Sequence, residues 1–362
     1  MAVLKKLKIR GFRNLAPLDW EVPETGAAVV GPNGAGKTNL LEAIGYLEVF
    51  RSFRGAADRD LVAFDQDVFR VEAEVEGGGR VAAAYDRKQR IKKVQAGGLD
   101  VQRVSDALGR IGISVFRLED LSIIRNSPVE RRRFLDIALA LESPGYVRAL
   151  QNYRAALVRR NEALRRDASE GEIDAWTDGL VDAGALVTRR RGSWIQESSS
   201  DFVSFFAHVS GGEGGVLAYA PSGPDDAADF REALDSMRSR ERAQGATAIG
   251  PHRDDFRFIT ERPEGSRDLR VYGSSGQQRT AVLALRLAEA ERLRRRLAGE
   301  PVYLLDDIFA ELDDGRSNRL LELFGGRESA QLILTSSRAE EGPRGARGLP
   351  QYEMSDGELI PA

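Results

Sequence analysis

The sequence predicts an α/β phosphate-loop fold divided by a block of helices, and three observations carry that prediction. A short apolar run at 26–30, GAAVV, leads into GPNGAGKT at 31–38 and then into a helical pattern. A second apolar run, PVYLLDD at 301–307, ends in two carboxylates. Between 128 and 245 the character changes to helical stretches rich in Ala, Arg and Leu. Short apolar runs bounded by turn residues read as strands buried on both faces, which is how a sheet that aims loops at a phosphate is built.

In chain order, residues 3–9 alternate as a strand, and NLLEAIGYLEVF after the phosphate loop puts Leu40, Leu41, Ile44 and Leu47 on one helix face. FRVEAEV and RVAAAYD alternate on either side of the glycines at 77–79, a hairpin signal. VERRRFLDIALAL, YVRALQNYRAALVRRNEALRR and IDAWTDGLVDAGALVTRRRGSWIQESSSDFVSFF then form an all-α insertion interrupted by SGGEGG and PSGPDD. DDFRFITE and DLRVYG return to strand, and AVLALRLAEAERLRRRLAGE is helical. PVYLLDD and AQLILTS complete the second α/β half. The expected segments are therefore 1–127, an α/β half; 128–245, a helical lobe; and 246–362, the second α/β half.

Composition narrows the chemistry. The chain has 362 residues, no Cys, two His and a formal net charge of -3, so disulfides, thiolate nucleophiles and Cys-ligated zinc are excluded. His208 and His252 alone make a poor basis for a catalytic zinc centre, and His252 in GPHRDD reads first as a structural hydrogen-bonding residue. MAVLKKLKIRGF has no apolar core of a signal segment, and nowhere do about 18 apolar residues run uninterrupted. A cytoplasmic protein without a membrane partner is expected. Cations are bunched at RKQRIKK (87–93) and in Arg triplets at 131–133, 189–191 and 294–296; a triplet by itself reads as a solvated helix face.

GPNGAGKT fits the phosphate-loop pattern G-x-x-x-x-G-K-[ST] with the strand before and helix after that it needs. Backbone N–H groups of Gly31, Pro32, Asn33, Gly34, Ala35 and Gly36, where present, turn around a β-phosphate; Pro32 has none to give. Lys37 balances β and γ charge and Thr38 offers a hydroxyl to Mg²⁺. Asp306, at the end of the second apolar strand, is the expected second metal residue, with Asp307 orienting or deprotonating water. Small residues in YGSSGQQRT, before the helix of 281–300, suit an anion site at a helix N-terminus or simply an N-cap, with Ser275 the candidate cap.

Taken together, GPNGAGKT, the S-x-G-Q element Ser274–Gln277, LLDD and ELD at 311–313 resemble the ABC-type ATPase heads of SMC-like proteins. Within that class the chain resembles the RecF family, through IRGFRNL at 9–15, RSFR at 51–54, SPVERRRFLD at 127–136, GPHRDD at 250–255, SSGQQRT and LLDDIFAELD. The resemblance implies an ABC-type P-loop head, a mixed sheet with an antiparallel β-subdomain, plus a compact second lobe. It also implies an ATP- and Mg²⁺-dependent homodimer in which Ser274, Ser275, Gly276 and Gln277 of one subunit meet the nucleotide of the other. Asp313 would then communicate between the two sites, and Arg10, Arg13 and Asn14 would lie near nucleotide. Catalysis would fall to Lys37, Asp307 and Ser274.

The chain departs from the usual heads in three places. Asp307 stands where ABC heads carry Glu, which implies slow hydrolysis; Ser336 in ILTSSR stands near the place of the switch histidine; and RLEDL at 117–121 lacks the Pro frequent in the family, leaving the metal-contacting glutamine's role unassigned. For DNA, Arg87, Lys88, Arg90, Lys92 and Lys93 read as a basic loop meeting phosphates without reading bases, with Arg51 and Arg54 as further candidates. The resemblance further implies binding to double-stranded DNA and single-strand/duplex junctions, and work with RecR and RecO to load RecA. A second reading, from another class, is the motor subunit of a membrane transporter; the missing switch histidine, the helical block with no obvious coupling surface and the RecF-like segments speak against it, and a third, an ATPase-coupled nuclease, would need an appended acidic nuclease domain.

Overall fold

The computed structural model describes residues 3–77, 79–261, 265–327, 330–337 and 348–362. It divides into two compact units, one of Met1–Asp120, Phe205–Gly212 and Val282–Ala362, the other of Leu121–Ser204 and Glu213–Ala281.

The first unit holds two six-stranded sheets. One is antiparallel throughout, in the order Leu18–Glu21, Leu4–Arg10, Val68–Val75, Gly79–Asp86, Ile91–Ala96, Leu99–Asp100. The other runs Glu358–Pro361, Gln351–Ser355, Gly26–Val30, Gln331–Ser336, Val302–Asp306, Ile113–Arg117, parallel except for its terminal hairpin. The expected hairpin forms, its two strands Val68–Val75 and Gly79–Asp86 in register; of its glycines, Gly78 lies outside the described residues.

Between the sheets lies the helix Lys37–Val49, which contacts strands of both. Leu40, Leu41, Ile44 and Leu47 are fully buried as their spacing predicts, and so are Ala43 and Tyr46 on other faces. A helix packed on two sides has no solvent face, so it is apolar nearly all round rather than striped. Each of those large side chains contributes about 1.5–3 kcal/mol relative to exposure. Phe12, Tyr46 and Phe69 add edge-to-face ring contacts with centroids 5.3–6.3 Å apart.

The second unit is built on Pro128–Glu142, Pro144–Arg165 and most of Glu170–Ser210, a single 41-residue helix about 60 Å long at 1.5 Å per residue. It is not purely helical. GVLAYA at 215–220, between the two glycine-rich breaks, is a strand that pairs antiparallel with Asp255–Thr260. That pairing carries residues 246–281 into this unit rather than into the second α/β half expected from the sequence. DLRVYG also differs from its expectation: only Arg267–Asp268 pairs as strand, and Leu269–Tyr272 is a helical turn.

Charge, not only apolar contact, holds this unit together. Arg191 is buried and its guanidinium donates to Asp136 Oδ1 (2.8 Å), Asp254 Oδ2 (3.1 Å) and the Pro251 carbonyl (2.7 Å). Arg131 forks onto Asp255 at 2.6 and 3.2 Å, and Arg160 onto Glu241 at 2.6 Å. The Arg triplets are thus not uniformly solvated faces. Successive helical residues are turned by about 100°, so in the triplets 131–133 and 189–191 one arginine enters the interior while a neighbour such as Arg133 or Arg190 stays out; in 294–296 none is buried. Once inside, an Arg without its carboxylates would leave an uncompensated charge worth several kcal/mol.

GPHRDD belongs to the same network. His252 Nδ1 accepts from the Tyr153 hydroxyl at 2.6 Å and its Nε2–H donates to the Thr247 carbonyl at 3.2 Å, the structural role expected for it. Burial pushes this imidazole down to about 4. A depressed folded value means that its stabilisation is complete above about pH 6.5, the unfolded value, and is lost as pH falls toward 4. Among the described residues no helix is long and apolar enough to cross a membrane.

Replacing His252 with Gln is expected to remove that pH sensitivity. Urea midpoints measured between pH 6.5 and 5 should fall steeply for the parent protein, by up to about 2 kcal/mol of stability, and distinctly less for the variant.

Candidate functional site

The strand Gly26–Val30 delivers the chain to the phosphate loop, and the helix Lys37–Val49 leaves it. Gly34 (φ 84°) and Gly36 (φ 116°) take left-handed backbone, which turns the loop back on itself. A Cβ on Gly36 would also crowd Asn14 Oδ1 at 3.3 Å and Leu15 at 3.2 Å. The loop is braced from behind, because Gly357 N, in the turn of the last hairpin, donates to Ala35 O at 2.8 Å.

Lys37 is buried and its Nζ rests on the carbonyls of Gly31 (2.7 Å) and Pro32 (3.0 Å). Burial lowers its pKa, and the charges of Asp307 and Asp306 pull the other way. Thr38 Oγ1 donates to Asp306 Oδ1 at 3.0 Å, joining the loop to the end of the strand Val302–Asp306. Asp306 also accepts from Thr335 Oγ1 at 2.9 Å. Its pKa is raised, chiefly by burial; the two threonine hydroxyls oppose that, and the nearby charge of Glu119 adds to it.

A hydroxyl and a carboxylate in contact, facing a glycine loop with a lysine, have the chemistry to take a triphosphate with Mg²⁺. Mg²⁺ keeps several waters and takes its remaining oxygens from one or two protein groups and the phosphates. Among the described residues no group of three or more His, Asp or Glu side chains could hold a metal ion. Asp307, in left-handed backbone (φ 51°), is fixed by its own N–H donating to Thr335 Oγ1 at 3.1 Å.

Two residues here escaped the sequence reading. Thr335 pairs directly with Asp306 in the parallel register, and the signal for it was positional: the last residues of two adjacent parallel strands face the same loop. Glu119 lies in RLEDL, the segment left without a role, and only its charge on Asp306 reveals it.

The N-terminal candidates separate. Asn14 Nδ2 donates to Gly34 O at 3.3 Å and its Oδ1 accepts from Asn39 at 2.7 Å, so it touches the phosphate loop. Arg13 forks onto the buried Glu42 at 3.0 and 3.1 Å and pins the loop's helix. Arg10 is tied instead to the neighbouring strand, through Leu18 O and Asp19.

The second unit carries Ser274–Gln277, all of it within Glu213–Ala281. The capping is reciprocal: Gln277 N donates to Ser274 Oγ at 3.2 Å, and Ser274 N donates to Gln277 Oε1 at 3.0 Å. The cap is therefore Ser274 rather than Ser275, whose residue already begins the helix Ser275–Leu297. Ser275 Oγ accepts from Arg125 at 3.0 Å, and Arg125 also holds Gln278 at 2.8 Å. Gln278 in turn donates to Leu269 O at 3.0 Å, locking the preceding turn. Ser274 and Ser275 remain exposed while Gln277 and Gln278 are buried, so the motif is a rigid surface with its hydroxyls outward. Asp313 caps Asp314–Gly325, accepting from Arg316 N at 2.8 Å, and that bond lowers its pKa. Ser336 ends the strand beside Thr335 and is buried.

The basic stretch is not a free loop. Residues 87–90 form a turn, and Ile91–Ala96 is a strand. Lys92 is committed inward, to Phe50 O and Asp58, both at 2.7 Å. Lys88, Arg90 and Lys93 are exposed, Lys88 paired to Asp67 at 2.6 Å, and Arg87 is half-buried against Gln66 O. Arg54 donates to Asn39 Oδ1 at 3.1 Å, which places it beside Asn14 and the phosphate loop; Arg51 is exposed.

The model of the RecF/RecN/SMC N-terminal domain family matches residues 3–344. The DNA replication and repair protein RecF of Moorella thermoacetica is 36% identical over 92% of this chain and 90% of its own. That of Halalkalibacterium halodurans is 33% identical over 93% of each chain. A solved structure of the recombination mediator protein RecF with ATP, of the RecFOR pathway, superposes with a TM-score of 0.89 at 28% identity, covering 99% of this chain and 97% of that one. The Smc head domain of Pyrococcus furiosus, 18% identical with a TM-score of 0.58, shares the fold.

Thr335→Val, which keeps the shape and deletes the hydroxyl shared by Asp306 and Asp307, should cost about 1–2 kcal/mol in urea denaturation. It should also raise severalfold the Mg²⁺ concentration that half-saturates nucleotide binding, read by fluorescent-nucleotide titration.

Proposed function

The chain belongs to the RecF family of SMC-like ABC-type ATPases, and from that premise we propose that it is an ATP-switched DNA-binding protein of recombinational repair. ATP draws two copies into a homodimer that binds duplex DNA at gaps and single-strand/duplex junctions; slow hydrolysis releases it. With RecR and RecO it promotes RecA loading in the cytoplasm. One pairing of observations supports the reading: Thr38 is hydrogen-bonded to Asp306 beside the glycine loop in one unit, and Ser274 is a preorganised, exposed cap in the other.

The residues divide the work as follows. The amides of Gly34–Thr38 receive phosphate oxygens, and Lys37 exchanges the carbonyls of Gly31 and Pro32 for β- and γ-phosphate charge. Thr38 and Asp306 hold Mg²⁺, which when bound neutralises charge building on the phosphates. Asp307 orients the attacking water; one methylene shorter than Glu, it reaches less far, which suits a switch more than a fast motor. Ser274 and Gly276 offer a hydroxyl and helix-terminal amides to the partner copy's γ-phosphate. Asp313, at a helix start near the same chemistry in sequence, links the two sites. Lys88, Arg90 and Lys93 meet DNA phosphates, which makes binding salt-sensitive and weakly dependent on sequence.

Sedimentation with ATP and Mg²⁺ tests the switch. Lys37→Met should lose ATP binding by at least about tenfold, the charge-assisted phosphate contacts being the strong ones. Ser274→Arg should bind ATP normally yet remain monomeric; a Ser274→Arg protein that still dimerises would overturn the two-subunit site. Reversing Lys88, Arg90 and Lys93 to Glu should weaken duplex binding and flatten its salt dependence while leaving dimerisation intact.

A further inference from the structure

Phe64 is fully exposed, the most exposed large apolar side chain among the described residues. It is not on a loose loop. Leu61, Val62 and Ala63 before it are buried, Val62 forms an antiparallel bridge with Phe12, and Ala63 N donates to Gly11 O at 2.8 Å. After it, Gln66 N closes a turn onto Ala63 O at 3.1 Å, and the strand Val68–Val75 begins. The backbone thus presents a phenyl ring to water from a stiff mount.

The same mount holds the basic turn. Arg87 donates from its backbone to Asp67 O at 2.8 Å and from its guanidinium to Gln66 O at 2.5 Å, and Lys88 pairs with Asp67. Gln66 is two residues from Phe64, and Arg90 closes the turn 87–90 that Arg87 and Lys88 tie to Gln66 and Asp67, so the ring and the basic turn rise from one mount. Asp67 is neutralised within it, whereas Arg90 and Lys93 have no carboxylate within 4 Å among the described residues.

A flat ring on a fixed turn that shares its mount with a basic turn matches a nucleobase and its phosphates. Base–aromatic stacking needs no particular base, because every base has a π-face. Inside a continuous duplex each face is covered by the next base pair, while at a gap or single-strand junction one face is open. We propose that Phe64 stacks on that open face, with Arg90 and Lys93 on the flanking phosphates, and so gives this protein its preference for junctions over continuous duplex. The inference rests on the DNA-binding function proposed above and names the residue that would set its specificity.

The test uses the full chain with ATP and Mg²⁺ and two probes: a covalently closed duplex minicircle and a gapped duplex carrying 2-aminopurine at the junction. The parent protein should bind the gapped probe more tightly and change its 2-aminopurine fluorescence. Phe64→Ala should weaken gapped binding about tenfold, within the range of one base–aromatic stack, and abolish the fluorescence change. It should leave minicircle affinity and ATP-induced dimerisation as they were, and Phe64→Trp should retain the junction preference. An unchanged gapped-to-minicircle ratio in Phe64→Ala would overturn the inference while leaving the DNA-binding function standing. Equal loss on both probes would make Phe64 a general DNA contact, and loss of dimerisation would make it part of the interface between copies; either result overturns the inference. If the parent protein retains neither probe, the DNA-binding function itself fails.

Discussion

The contact between Thr38 Oγ1 and Asp306 Oδ1 is the constraint around which the first unit is arranged. It joins residues 268 apart in sequence at 3.0 Å, and each sits at the end of an element that the fold must deliver to the same edge. Thr38 arrives on a helix whose other faces are consumed by two sheets, and Asp306 on a strand flanked on both sides by parallel partners. A shift of either by one residue would turn the side chain to the opposite face or around the helix by about 100°. The surrounding bonds make such slips costly: Glu42 held by Arg13, Asn14 between Asn39 and Gly34, and Thr335 shared by Asp306 and the Asp307 amide.

In the second unit the corresponding role is played by buried guanidinium groups. Arg191, Arg131 and Arg160 each fix one helix to carboxylates contributed by distant segments, so that none is left an uncompensated buried charge. Their direct effect is positional. Asp254 and Asp255 anchor the start of the strand Asp255–Thr260, and the turn that follows that sheet leads to Ser274. Arg125 and Gln278 then lock the signature turn from beneath, so its outer hydroxyls are presented by a scaffold rather than by a mobile loop. Preorganised donors of this kind stabilise charge without reorganising at the moment it develops.

Much of this was legible in the residues, and the parts that were not share a cause. GPNGAGKT and LLDD each carry their mechanism in short-range order, so the phosphate loop, its helix and the carboxylate strand came out where expected. The strand Gly215–Ala220 was hidden because its pairing partner lies some forty residues on and the flanking glycines mimic a loop. Lys92 looked like its basic neighbours, yet alternation along a strand turns it inward to Phe50 O. Thr335 was overshadowed by Ser336 next to it, and only the register across to Asp306 separates the two.

Sequence alone determined the chemistry available to this protein: a phosphate loop, paired Asp residues, a Ser-Gly helix start, and no Cys for thiol or disulfide chemistry. It did so because those functions are set by residue type at fixed local spacing. Tertiary structure decided which copies of a common residue do the work: which arginine of a triplet is buried, which serine caps the helix, which lysine of a basic run still faces solvent, and that Phe64 stands in water. Those choices depend on burial and on partners brought together from far along the chain. No local pattern encodes them, because the free energy that decides them appears only when the elements pack.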